Sequence, residues 1–135
     1  MDKKLIGLIL VFFLTVSLFI TLLIFNQPLL RLTRAKEEFL PSIEKSLIFA
    51  WPLTTKVNTN VSINVFIRNE KGIPLPNKNV ILSTTLGETK PPSSITDKNG
   101  KANFTLSSSQ KGLATISATV DNNYRLNQNV SIKFE

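Results

Sequence analysis

The segment from Asp97 to Gly100 has the residue types and spacing with which a calcium-binding loop begins. A real loop supplies further oxygen ligands and ends on a bidentate Glu. Here the chain continues with Lys101, Ala102 and Asn103. Asp-x-Asn-Gly is also typical of a tight turn, because Asn and Gly adopt left-handed backbone conformations readily. We therefore expect a turn at this position and no metal ligand.

The residue types that most enzymes use for catalysis are missing from the chain. It contains no His and no Cys, so a nucleophile–base pair could be built only from Ser with Lys or from carboxylates. Ser107-Ser108-Ser109 is typical of a loop, and the carboxylates of residues 57–135 fall in turns or at the end of the chain. We predict no catalytic residue, no cofactor, no small-molecule substrate and hence no enzyme.

Two aromatic residues, Trp51 and Tyr124, are each the only one of their type in the chain. Aromatic side chains bind sugars or protein partners when exposed, but they also fill the ends of β-sandwiches. We expect both to pack in the core. The resulting scarcity of exposed aromatic side chains speaks against a carbohydrate-binding module.

Charge is spread along the chain without long runs. The formal net charge is +7, which suits the neighbourhood of anionic lipid. A nucleic-acid interface requires clustered Lys and Arg with stacking aromatic residues. The sequence therefore predicts no nucleic-acid partner.

Residues 5–25 contain no charged side chain and are dominated by Leu, Ile, Val and Phe. A helix of this length spans about 31 Å, which matches the hydrocarbon core of a bilayer. The segment predicts a transmembrane anchor over residues 1–27 that contacts lipid through residues 5–25. Two alternatives stay open: a cleaved secretion signal, and a pilin-type leader cut after Gly7.

A connector is expected between the anchor and the rest of the chain. Asn26, Gln27 and Pro28 are expected to end the membrane helix. Residues 28–45 are then predicted as a juxtamembrane stalk, with a short helix between Pro28 and Pro41.

From residue 46 onward, apolar residues recur at every second position, which indicates strands with one buried face. This pattern predicts strands at Ser46–Trp51, Val61–Arg68, Val80–Thr85, Ala102–Leu106, Gly112–Val120 and Val130–Phe134, with an extended segment at Ile73–Pro76. Residues 88–94 are predicted as a loop, and Asp97–Gly100 as a hairpin turn. Two sheets must cover each other to bury these faces. We predict an all-β, immunoglobulin-like antiparallel sandwich of about seven strands over residues 46–135, preceded by one transmembrane helix.

Three stretches of this predicted sandwich resemble a known family, the bacterial immunoglobulin-like domains of the invasin/intimin group. They are the strand and hairpin Val65–Pro76, the turn Thr96–Ala102 and the strand Lys111–Ala118. The resemblance covers about residues 57–134. It implies an extracytoplasmic spacer or display module, and the residues that carry it are turn and core residues rather than binding residues.

These observations predict a non-enzymatic, membrane-anchored module of the cell surface or envelope. Its function would be protein interaction, adhesion or structural display, with the C-terminal domain outside the membrane. Another envelope or surface protein, or a second copy, is the expected partner. The first alternative is a subunit of a surface filament or envelope machine, pilin-like or archaellum-stator-like. A carbohydrate-binding module is the second alternative, and the expected scarcity of exposed aromatic side chains makes it the weaker of the two.

Overall fold

The computed structural model describes the backbone of residues 2–135 and the side chains of residues 2–23 and 39–135. The described residues form one helix, α1 (Lys3–Glu38), followed by ten strands. The strands are β1 (Leu47–Trp51), β2 (Thr54–Thr55), β3 (Val61–Phe66), β4 (Asn79–Thr84), β5 (Glu88–Lys90), β6 (Ser93–Ile95), β7 (Lys101–Ser107), β8 (Gly112–Val120), β9 (Tyr124–Arg125) and β10 (Val130–Phe134). The chain divides into two compact units, Met1–Glu37 and Glu38–Glu135. The three-part division into residues 1–27, 28–45 and 46–135 stays a prediction.

Helix α1 has the length and composition of a membrane span over Lys3–Leu23. These 21 residues extend about 31 Å at the rise of an α-helix. The Thr15 hydroxyl donates to the carbonyl of Phe12 at 2.8 Å. The Thr21 hydroxyl donates to the carbonyl of Ser17 at the same distance. The two threonine hydroxyls of this apolar segment therefore bond within the helix.

The helix continues beyond Pro28 to Glu38 as a single element. The expectation that Asn26, Gln27 and Pro28 end the helix is therefore wrong. A proline removes one backbone hydrogen bond from a helix, but it does not by itself end the helix. The segment after Pro28 is rich in Leu, Arg, Lys and Glu, which have high helix propensity.

The second unit is a two-sheet sandwich. The first sheet has the strand order β1-β3-β7-β5, and the second has the order β2-β10-β8-β4-β6, with β9 paired to β8. The strand pairs are antiparallel except β2 with β10, which run parallel. The predicted sandwich is confirmed, with a mixed rather than purely antiparallel second sheet.

The prediction of a loop over residues 88–94 is wrong, because strands β5 and β6 lie there. Both strands have only three residues and no run of alternating apolar side chains. They are extended because each pairs with a longer strand, β5 with β7 and β6 with β4. The turn at Asp97–Gly100 forms as predicted, but it connects strands of different sheets rather than a hairpin.

The core lies between the sheets and follows the period-two pattern of the sequence. In β3, Val61, Ile63 and Val65 are fully buried, and Ile63 lies beside the buried Phe104 of β7. The remaining buried apolar side chains are Ile48, Ile67, Leu75, Val80, Leu82, Ala102, Leu106, Ala114, Ile116, Ala118, Val120, Leu126, Ile132 and Phe134.

One side of the sandwich is closed by a side chain that takes the place of a strand. The Gln128 side chain accepts a hydrogen bond from the Ile48 amide at 3.0 Å and donates one to the Ile48 carbonyl at 3.2 Å. Ile48 belongs to β1, the edge strand of the first sheet. Gln128 therefore caps backbone groups of β1 that would otherwise be open to another strand.

The chain enters and leaves the sandwich at opposite ends. It enters beside Arg68, whose carbonyl accepts a hydrogen bond from the Ser42 amide at 2.8 Å. It leaves at Glu135, whose carbonyl accepts one from the Val57 amide at 3.2 Å. Strand β3 (Val61–Phe66) runs from the end beside Val57 to the end beside Arg68. We call the end beside Arg68 the N-terminal end and the end beside Val57 the C-terminal end.

Candidate interaction surface

Strand β1 presents two aromatic side chains to solvent. Ile48 and Ala50 face the core, so the intervening Phe49 and the following Trp51 point outward. Phe49 is 52% exposed and Trp51 is 78% exposed. The Phe49 ring makes an edge-to-face contact with Phe66, with 5.9 Å between ring centroids. The expectation that Trp51 packs in the core is wrong, because the strand's alternation turns its side chain to the outer face.

Cross-strand pairing extends this outer face from Trp51 across the first sheet. Trp51 lies opposite Ser62, Ser62 lies opposite Thr105, and Thr105 lies opposite Lys90. We call these four residues the Trp51 row. Neighbouring strands are about 4.8 Å apart, so the row is about 14 Å long at the backbone.

A second row lies about 7 Å closer to the C-terminal end, since rows on one face are two residues apart. It consists of Asn60, Ser107 and Glu88, and we call it the polar row. Glu88 pairs with Ser107, and Asn60 follows the same register, because the next residue, Val61, pairs with Leu106. Val61 and Leu106 are fully buried, so the polar row points away from the core.

The polar row opens into a groove of about 490 Å³ at the C-terminal end. Amides, hydroxyls and a single carboxylate dominate its walls. The lining residues are Asn58, Asn60, Leu86, Gly87, Glu88, Ser107, Ser108, Ser109 and Gln110. We call this the polar groove.

Local backbone geometry fixes the walls of the polar groove. Gly87 has a φ of +82°, and a Cβ atom there would collide with the carbonyl oxygen of Ser107. Asn58 has a φ of 61°, and its backbone N–H donates to the backbone carbonyl of Ser108 at 2.7 Å. The Ser108 hydroxyl donates to the backbone carbonyl of Gln110 at 2.8 Å and accepts from the backbone N–H of Gln110 at 3.1 Å. Three separate segments are thereby held against one another.

The side chains that face the groove are left free by the fold. Among the residues whose side chains are described, Asn58, Asn60 and Ser107 make no side-chain hydrogen bond. Within the same part of the chain, the carboxylate of Glu88 has no cationic partner. The groove therefore offers unused donors and acceptors to a ligand.

The other residues singled out from the sequence have structural roles. Asp97 accepts hydrogen bonds at one carboxylate oxygen from the amides of Asn99 at 2.8 Å and Lys101 at 3.0 Å. This is the geometry of the predicted turn. Tyr124 packs against the core, as predicted.

Sequence patterns did not reveal the polar groove, because its residues come from three segments that are distant along the chain. The sequence predicts a loop at the serine run Ser107–Ser109 and a separate loop over residues 88–94, which include Glu88. The available signal was Gly87, since a glycine between short strands indicates a close approach of two backbones.

Comparison with known proteins agrees with this architecture. A family model described as bacterial Ig-like domain (group 1) matches residues 55–135. No curated protein matches the chain at a significant level.

Solved structures give the same picture. A C-terminal fragment of intimin, in complex with the intimin-binding domain of the translocated intimin receptor, is 25% identical with a TM-score of 0.57. The match covers 70% of this chain and 33% of that one. Invasin, a bacterial integrin-binding protein, is 28% identical with a TM-score of 0.62, over 70% of this chain and 19% of its own. The adhesin InvE of Yersinia pseudotuberculosis is 21% identical with a TM-score of 0.63, over 71% of this chain and 28% of its own.

The chain thus spans a third or less of these three structures, and it shares with them one sandwich domain. The family model covers more than half of the chain and includes strands β3 to β10. The chain belongs to the bacterial Ig-like domain (group 1) family.

Proposed function

We propose that this chain is a single-pass membrane protein that displays its Ig-like sandwich outside the membrane as a non-enzymatic adhesion or structural module. The observation that carries the proposal is the helix segment Lys3–Leu23. It is long and apolar enough to span a bilayer, and its side chains are exposed over the whole segment.

Energetics support a lipid environment for this segment. Each Leu, Ile, Val or Phe near the centre of a membrane helix favours insertion by about 0.3–0.6 kcal/mol. Residues 5–23 are mostly of these four types, so the sum is several kcal/mol in favour of the bilayer. In water the same side chains would form a continuous exposed apolar surface, which isolated proteins avoid.

The sandwich supports a display role. Its chain ends lie at opposite ends of the domain, so the C-terminal end is carried away from the point of attachment by the length of the sandwich. The intimin fragment is bound to a receptor domain, and invasin is an integrin-binding protein. Those relatives support an adhesive role for this chain, with another surface protein or a second copy as the expected partner.

Membrane extraction tests the anchor. The unmodified chain should stay in the membrane pellet after alkaline carbonate treatment. Leu14→Arg places a charge near the centre of the span, which costs about 2.5–3.5 kcal/mol on the insertion scale, and should increase the extractable fraction. Leu14→Ala is the matched control and should stay in the pellet. Extraction of the unmodified chain would contradict the proposal.

The intact mass of the membrane-extracted protein tests the two leader alternatives. An uncleaved helix predicts a mass of about 15.1 kDa for the whole chain. A chain that begins at Leu8 would indicate a pilin-type leader. A chain without the apolar segment would indicate a secretion signal and would remove the anchor.

A further inference from the structure

We propose that the outer face of the first sheet binds a neutral oligosaccharide at the C-terminal end. Trp51 would be the stacking platform, and the polar groove beside Glu88 would be the hydrogen-bonding subsite. This inference rests on the proposed display function and names the class of ligand that the displayed domain meets.

Trp51 has the exposure and position that sugar stacking requires. A pyranose ring has a face of C–H groups that packs on the electron-rich face of an indole. Trp51 is 78% exposed and is followed by Pro52 and the half-exposed Leu53, so the ring lies at a rim of low polarity. Phe49 adds a second exposed ring on the same face of β1.

The polar groove has the chemistry that sugar hydroxyls require. A hydroxyl group both donates and accepts, so a saccharide is best held by groups that offer both functions. The amide of Asn60 donates and accepts, the hydroxyl of Ser107 does the same, and the carboxylate of Glu88 accepts strong charge-assisted bonds. These three side chains share one row of the sheet.

The distances suit a ligand of a few sugar units. Ser107 lies two strands from Trp51 and one row closer to the C-terminal end. Two strand spacings of about 4.8 Å and one row spacing of about 7 Å give about 12 Å between the two backbone positions. A short oligosaccharide bridges this distance with one ring on Trp51 and another in the groove.

The charge pattern argues for a neutral ligand. Glu88 is the only charged residue that lines the groove, and Lys90 is the charged residue at the end of the Trp51 row. An anionic polymer would face the Glu88 carboxylate. The centre of a protein-binding hot spot is typically apolar, whereas here the residues between Trp51 and Lys90 are the small polar residues Ser62 and Thr105.

Because Trp51 is the only tryptophan of the chain, its fluorescence reports directly on the proposed platform. We would titrate the full-length chain with cellohexaose, chitohexaose, maltohexaose and mannohexaose. A polyoxyethylene detergent is required, because a maltoside headgroup would compete. At least one hexasaccharide should shift the emission to shorter wavelength in a saturable way and reduce acrylamide quenching several-fold.

Variants assign the binding to the proposed residues. Asn60→Ala and Glu88→Gln should each weaken binding about tenfold, which is the loss expected for one hydrogen bond to a polar or charged partner. Trp51→Ala, measured by calorimetry, should abolish binding. Ser117→Ala on the outer face of the second sheet is the matched control and should bind like the unmodified chain.

Three results would overturn the inference. The first is that none of the four hexasaccharides protects Trp51 from acrylamide quenching in a chain with dispersed amide resonances. The second is that the sugar affinity is unchanged in both Asn60→Ala and Glu88→Gln. The third is that a purified protein forms a Trp51-dependent complex that none of the sugars weakens. Failure of sugar binding is distinguishable from failure of the display function, which the extraction of the Leu14 variants tests separately.

Discussion

Thr96 connects the turn before β7 to the segment that leads into β4. Its side chain is 2% exposed. The hydroxyl donates to the carbonyl of Leu75 at 2.7 Å and accepts from the amide of Lys78 at 2.9 Å. The backbone amide of Thr96 also donates to the carbonyl of Lys78 at 2.9 Å. This residue therefore determines how the proline-containing segment after β3 is held against the second sheet.

The substitution Thr96→Val removes both side-chain hydrogen bonds while keeping the shape of the side chain. The buried carbonyl of Leu75 and the partly buried backbone amide of Lys78 then each lose a partner. Each loss costs about 1–2 kcal/mol, so we expect the free energy of unfolding to fall by about 2–4 kcal/mol. For a domain of this size, 1 kcal/mol shifts Tm by about 4–8 °C, which predicts a decrease of roughly 8–32 °C.

Thr96→Ser is the matched control, because it keeps the hydroxyl and loses one methyl group. It should cost about 0.8 kcal/mol, the transfer free energy of one buried carbon group. Differential scanning calorimetry of the full-length chain in detergent measures both variants. Equal Tm values for the Val and Ser variants would refute the argument, because the hydroxyl would then contribute nothing.

Three further predictions follow from individual contacts. Gln128→Ala uncovers the β1 edge, so the Ile48 amide should exchange with solvent at least about tenfold faster, as expected for the loss of one or two hydrogen bonds; unchanged exchange would show that Gln128 does not protect it. Gly87→Ala introduces a side chain at positive φ against the Ser107 carbonyl, so Tm should fall and a hexasaccharide should no longer protect Trp51 from acrylamide quenching. Wild-type values for both would contradict the close approach of Gly87 to Ser107. Ile63→Asp buries an unpaired charge between the sheets and should prevent folding, and dispersed amide resonances from that variant would contradict the register.

The longer strands could be predicted from sequence because their apolar residues alternate. In β3, Val61, Ile63 and Val65 all occupy the core side, as the period of two indicates. The turn at Asp97–Gly100 was predictable for a local reason, since the Asp side chain and the glycine favour that backbone geometry without help from the rest of the fold.

The short strands and the candidate site could not be predicted in this way. Strand β5 (Glu88–Lys90) is extended because it pairs with β7. Its three residues carry no sequence pattern that predicts this pairing. Residue type alone predicts a core position for Trp51, whereas its exposure depends on which face of β1 its side chain occupies. The polar groove depends on Asn60, Ser107 and Glu88 lying in one row, which only the strand register determines.

The most direct test of a displayed sandwich is site-specific labelling of the chain in its membrane. Because the chain contains no cysteine, a single one can be introduced as Ser109→Cys at the exposed C-terminal end or as Asp2→Cys before the helix. A membrane-impermeant maleimide applied to intact spheroplasts should label the Ser109→Cys variant, and should label the Asp2→Cys variant only after the membrane is opened. Labelling of the Asp2→Cys variant alone in intact spheroplasts, or recovery of the chain in the soluble fraction, would contradict the account.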